Sequence, residues 1–207
     1  MILHSPFSIL HSPFSILHSP FPVPLSKELK AAILTLPREE KDKLLLRLVG
    51  KHADLQEQLE FRLVEEGLTL TERRETIHRA ITRLYNRDAV SSGYLMMDMR
   101  EVHGDLTRHV KTTKDAYGEV DLLLHLLNGV FEEQLRWIER YSSKSDTLAQ
   151  YVAKRTEALL KKLPKLHPDI QFEFIDATNR LLERVWKYAP AYYAKELGLP
   201  KRYEAKG

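Results

Sequence analysis

The chain of 207 residues contains no cysteine, which removes disulfides, thiolate metal sites and cysteine nucleophiles from consideration. It has no apolar run approaching the roughly 20 residues of a membrane-spanning helix. Walker A, G-x-G-x-x-G, G-x-S-x-G, H-E-x-x-H and EF-hand patterns are all missing, so none of the chemistries those short signatures carry is announced. A surplus of one charge is missing too. The 32 Lys and Arg face 29 Asp and Glu for a formal net charge of +3, too mild to imply a nucleic-acid partner by itself.

Charge is absent altogether from residues 1–24, so every one of those charged residues lies in the remainder, where they make up about one position in three. The charge-free stretch is a repeat: 2–8, 9–15 and 16–22 read ILHSPFS, ILHSPFS and ILHSPFP, differing only at Pro22. A proline in every unit excludes a coiled-coil heptad. The codons ATT-CTC-CAT-TCT-CCA-TTC-TCC encode the unit and are ATTCTCC written three times, which points to a seven-base DNA repeat read through all three frames. Two expectations follow. Gain or loss of one DNA unit shifts the frame and switches expression, or the tract lies upstream of a start at Val23 or Leu25 read from GTG or TTG. Either way residues 1–24 are expected to be a disordered leader, with His4, His11 and His18 by-products of the repeat. A secretory signal fits less well, because a charged n-region and an A-x-A site are lacking.

From Leu25 to Gly207 the pattern predicts a single all-α domain, a multi-helix bundle or short helical array of about eight helices. The segments are 27–35, 37–50, 53–66, 72–87, 93–112, 115–141, 145–163 and 169–188. Ser26 caps the first, Pro37 opens the second, Gly67 stops the third, and Pro164, Pro168 and Pro190 punctuate the later ones.

The segment 36–67, with its stretch LPREEKDKLLLRLVGK, resembles one helical hairpin of a HEAT-type array. Together with HVKTTKDAYGEVDLLLHLLN and YAKELGLPKRY, it makes residues 25–207 similar to a group of all-helical bacterial proteins. That resemblance implies the fold and a genuine reading frame after residue 25, and it implies no activity.

Helix 115–141 is apolar on two sides, through Val120, Leu123, Leu127 and Val130 on one and Leu122, Leu126 and Trp137 on the other. A helix of that kind is central. Between its faces runs a polar stripe, Asp121, His125, Asn128 and Glu132, and on helix 93–112 a second runs Asp98, Glu101, Asp105 and His109. Asp105-x-x-x-His109 and Asp121-x-x-x-His125 are twin carboxylate–imidazole pairs on consecutive helices that a short link makes antiparallel neighbours. Imidazole and carboxylate at one interface can ligate a divalent metal or set up proton transfer, so Asp105, His109, Asp121 and His125 are the candidate metal ligands. The plainer reading, helix-stabilising pairs beside apolar seams, weighs more. The Glu-x-x-His of di-iron bundles does not occur.

Glu57-x-x-Glu60 and Glu72-x-x-Glu75 invite comparison with helical pyrophosphohydrolases, but the following Glu-x-x-Asp appears only far downstream at Glu173 and Asp176. The basic group Lys154, Arg155, Lys161, Lys162 and Lys165 lacks interleaved aromatics, which weakens an RNA-binding reading. Trp186, Tyr188, Tyr192, Tyr193 and Tyr203 suit a closing segment docked on the bundle. His52, His78, His103 and His167 carry no assignment.

The sequence therefore predicts a non-enzymatic, cytoplasmic helical scaffold or interaction protein with a protein partner and no membrane segment. No cofactor is expected, with a divalent metal the open alternative. The rival functions are a metal-dependent hydrolase built on the paired Asp and His, and weak nucleic-acid binding.

Overall fold

The structure, a computed structural model, describes residues 24–204; residues 1–23 of the expected leader and the last three residues lie outside the described residues. Within them the chain is all-helical and without strands. Its helices are α1 (Lys27–Thr35), α2 (Arg38–Val49), α3 (Ala53–Leu63), α4 (Leu70–Tyr85), α5 (Ser92–Thr113), α6 (Ala116–Glu133), α7 (Asp146–Leu160), α8 (Pro168–Glu173), α9 (Ile175–Lys187) and α10 (Ala191–Glu196). Single 3₁₀ turns follow α6 at Leu135–Trp137 and α7 at Leu163–Lys165. Among the described residues no helix is long and apolar enough to cross a membrane.

The chain divides into two compact units after Leu48. The first holds α1 and all but the end of α2. Ser26 caps α1 as its sequence suggests, its Oγ accepting the Leu29 amide at 3.1 Å, and Glu39 and Glu40 sit in the first turn of α2, where the helix dipole favours them. No residue of either helix is buried.

The second unit is built around α6, which contacts α4, α5, α7 and α9. Val120, Leu122, Leu123, Leu126, Leu127 and Val130 point to different sides of α6, and all are buried. This is the apolar-on-two-sides pattern in physical form. The pairings Arg74–Asp115, His78–Asp121 and Tyr85–Leu126 climb both chains together, so α4 and α6 run parallel, with α5 antiparallel to each. Gly129 lets the α4 end come close: a Cβ there would stand 2.4 Å from Cε2 of Tyr85. Tyr85 is itself held, its hydroxyl donating to the Leu126 carbonyl.

The helix expected over 115–141 stops at Glu133, and the side chain of the next residue explains why. Gln134 is buried, and its Nε2 donates to the carbonyls of Tyr85 at 3.2 Å and Arg87 at 3.0 Å, closing the C-terminal end of α4. Satisfying those orphan carbonyls takes Gln134 out of helical geometry, and the chain leaves α6. The expected helix 169–188 divides at Phe174 into α8 and α9.

The aromatic C-terminal segment docks as its composition suggests. Tyr203 is buried with its hydroxyl on Gln171 Oε1 at 3.0 Å, Tyr188 stacks on Phe131 at 5.8 Å between ring centroids, and the Trp186 indole donates to the Pro200 carbonyl at 3.1 Å. Tyr192 stays exposed.

Two glycine substitutions test this packing. Gly129→Ala drives a methyl into the pinned Tyr85 ring and is expected to destabilise the protein by about 1–3 kcal/mol in urea or thermal unfolding. Gly104→Ala on α5 meets nothing within 4 Å and is expected to stabilise by about 1 kcal/mol through helix propensity. Equal effects of the two would contradict the close α4–α6 approach.

Candidate functional site

The link between α5 and α6 is short: Lys114 takes a left-handed conformation (φ 59°) and Asp115 caps α6. The Asp115 carboxylate then collects partners from three helices. Its Oδ1 accepts the Gly118 amide at 2.9 Å and Nη2 of Arg74 at 2.8 Å, while its Oδ2 accepts Nε of Arg74 at 2.6 Å. Nε2 of His109 stands 3.2 Å from the same Oδ2. Burial works to raise the Asp115 pKa, but the bonds from His109, Arg74 and the Gly118 amide outweigh it and hold the carboxyl well below the usual range. Gly118 is required here, because a Cβ would fall 2.0 Å from Asp115 Oδ2.

The four candidate metal ligands take separate partners around this arrangement. His109 is buried and committed to Asp115, not to Asp105, and its Nδ1 has no partner. Asp105 instead pairs with Arg108 at 3.3 Å and, together with His109, Glu57 and Arg73, lines one cleft. Asp121 pairs with Nε2 of His78 at 2.9 Å, and His125 lies against His78 with ring centroids 4.7 Å apart. The two Asp–His pairs thus open on two different clefts. Among the described residues no group of three or more His, Asp or Glu is placed to hold a metal ion.

The cleft that keeps Asp121 and His125 together has a volume of about 350 Å³ and also receives Tyr117, Asn128, Glu132 and Glu173. His78 enters it from α4, one turn beyond Arg74, and had no assignment in the sequence because nothing on its own helix pairs with it. No spacing signal could have found it, since Arg74 and His78 are four apart while Asp115 and Asp121, the carboxylates they meet, are six apart. Burial, followed by the nearby His78, lowers the pKa of His125, so it favours the neutral form. The lower end of the stripe is occupied: Arg184 of α9 donates to Asn128 Oδ1 at 2.9 Å and Glu132 Oε1 at 2.7 Å, and Asn128 donates to the Ala177 carbonyl at 3.2 Å. Tyr117 donates to Glu173 at 3.1 Å. Chemically the cleft offers an imidazole oriented by a carboxylate, the elements of a general base. Its lining supplies no serine, threonine or cysteine for that base to activate.

The basic group on α7 is partly neutralised. Lys161 pairs with Glu157 at 2.5 Å, Lys162 with Glu119 at 2.7 Å, and Arg155 lies over the Tyr151 ring at 5.3 Å. Nearby on α5, His103 is pushed down to about 4, by burial first and then by Arg155 and Lys162.

Two pH dependences follow. The folded-state pKa of Asp115 lies below its unfolded value of about 3.9, so the stability it supplies is fully present above that pH and lost as acid protonates it. Asp115→Ala strands buried partners and is expected to cost about 3–5 kcal/mol at pH 7, the gap to wild type narrowing below about pH 4; a gap independent of pH would refute the assignment. His103 is likewise depressed, so stability should decline as the pH falls from about 6.5 toward about 4 and lose nothing further through His103 below that. Urea titrations of His103→Gln should show a shallower decline over that interval, and an unchanged slope would contradict the half-buried neutral imidazole.

No family model, curated protein or solved structure matches the chain, so its function has to be argued from its own geometry.

Proposed function

We propose that the protein is a non-enzymatic helical interaction protein, and that α1 and α2 form its docking element. One observation carries the reading. In a stretch of 24 residues, Leu25, Leu29, Leu34, Leu45, Leu46 and Leu48 are 52%, 47%, 74%, 54%, 71% and 43% exposed, and neither helix buries any residue. Isolated exposed leucines are ordinary, but a concentration of this kind on two helices characterises surfaces that another protein covers.

The occupant this surface fits is a second copy of the same element. Each helix carries flanking charges of both signs: Lys27, Glu28 and Lys30 on α1, and Arg38, Glu39, Glu40, Lys41, Asp42 and Lys43 in the first half of α2. Because each helix carries both signs, two copies laid together can pair opposite charges around the leucines that close between them. An indifferent partner would have to supply that complementarity independently.

The hydrolase reading gains nothing from the clefts, since Asp105 and His109 open on a different one from Asp121 and His125. The nucleic-acid reading is weakened by the glutamates paired to Lys161 and Lys162. A cytoplasmic location, in a bacterial cell as the sequence resemblance implies, accords with the proposed role.

Size-exclusion chromatography with light scattering tests the proposal. The wild-type chain should reach a dimeric mass at micromolar concentration, and Leu34→Lys with Leu46→Lys should return it to monomer with helical content and melting temperature of the second unit unchanged. A wild type that stays monomeric at every concentration would sink the second-copy reading.

A further inference from the structure

A third cleft, away from the two that the Asp–His pairs line, lies where the segment between α6 and α7 folds back over the first turn of α5, and its volume is about 510 Å³. Three cations line it: Arg136, Arg140 and Lys144. The 3₁₀ turn at Leu135–Trp137 and the turn at Ser142–Ser145 bring them together from within one short segment. Arg136 pairs with Asp88 at 3.0 Å, but that carboxylate is 90% exposed and holds it weakly. Arg140 and Lys144 have no ion-pair partner among the described residues, and Glu139 is the one carboxylate in the lining.

The walls are built rather than incidental. Ser92 and Ser145, both lining and both buried, tie the backbone of the cationic segment in place: the Ser92 hydroxyl donates to the Lys144 carbonyl, and the Ser145 hydroxyl donates to the Arg140 carbonyl at 2.9 Å. Those bonds occupy main-chain acceptors that would otherwise repel an anion. Trp137 contributes an apolar wall under the Arg136 guanidinium, which stands 5.1 Å from the ring, and its indole N–H is shielded from solvent with no acceptor in the protein. The N-terminal turn of the 22-residue α5, through Ser91, Ser92 and Gly93, forms another part of the lining.

We infer that this cleft binds a phosphate group, free or carried as the monoester of a small molecule. Arg140 and Lys144 supply charge-assisted hydrogen bonds to the oxygens, Trp137 supplies a flat apolar wall for the remainder of an ester, and the volume suits a ligand of mononucleotide size. The site is independent of the docking role of α1 and α2.

Calorimetric titration of the full-length chain with inorganic phosphate and with AMP, at low salt, tests the inference. Saturable one-to-one binding is expected, weakened as salt is raised and reduced roughly tenfold or more in Arg140→Gln with Lys144→Gln. Both residues are exposed and unpaired, so the variant should melt as the wild type does. Tighter binding of AMP identifies an ester, equal affinities identify the free ion, and both support the site. Titration of Trp137→Phe should lose the ligand-induced change in indole fluorescence that Trp186 alone cannot give. No heat with either probe, or affinities untouched by the double substitution, would overturn the inference.

Discussion

The carboxylate of Asp115 is the constraint on which the second unit depends. It terminates nothing and buries little surface, yet it fixes the start of α6, takes a two-pronged grip from Arg74 of α4 and receives His109 of α5. Apolar burial drives these helices together without specifying their rotation about their own axes, since leucines on several sides of α6 would satisfy many packings. A buried ion with directional partners specifies that rotation. Once Arg74 is on Asp115, His78 one turn later falls on Asp121, and Tyr85 two turns beyond that falls on the Leu126 carbonyl. The close approach at Gly129 is the last step of the same alignment.

That hub also shows which parts of the molecule were legible in the sequence. The central role of α6 was readable because an apolar pattern on two sides of one helix has few other meanings. The polar stripe from Asp121 to Glu132 was readable because spacing along a helix is fixed. Its partners were not, because His78 and Arg184 arrive from helices 43 and 52 positions away from the carboxylates they meet, and spacing says nothing of how a neighbour is turned. Asp115 itself was visible only as the first residue of a helix. Its role arises from Lys114, which takes a left-handed turn that non-glycine residues rarely adopt and brings the carboxylate back over the end of α5.

The candidate metal set illustrates the same limit. Asp105 and His109 stand on one helix at ideal spacing, but spacing places side chains in competition for partners rather than pairing them. Asp115, arriving from the link, outcompetes Asp105 for the imidazole because it is already desolvated and already oriented by Arg74. Asp105, left on the rim, takes the nearest arginine. Local rules wrote two equivalent motifs, and tertiary contacts gave them different surroundings.

Side chains at both of its ends tie α6 to α4: Asp115 at the start through Arg74, and Gln134 after its end through the Tyr85 and Arg87 carbonyls. Between those anchors lie 18 helical residues, about 27 Å of rise. The helix is therefore a gauge block, admitting one length only. A single inserted residue would turn everything beyond it by about 100° and lengthen the span by about 1.5 Å, so no rotation could restore both anchors at once. Length can therefore change without loss of either anchor only in the segments outside α6, and the spacing from Asp115 to Gln134 is the measure that the pairing of α4 with α6 imposes on the chain.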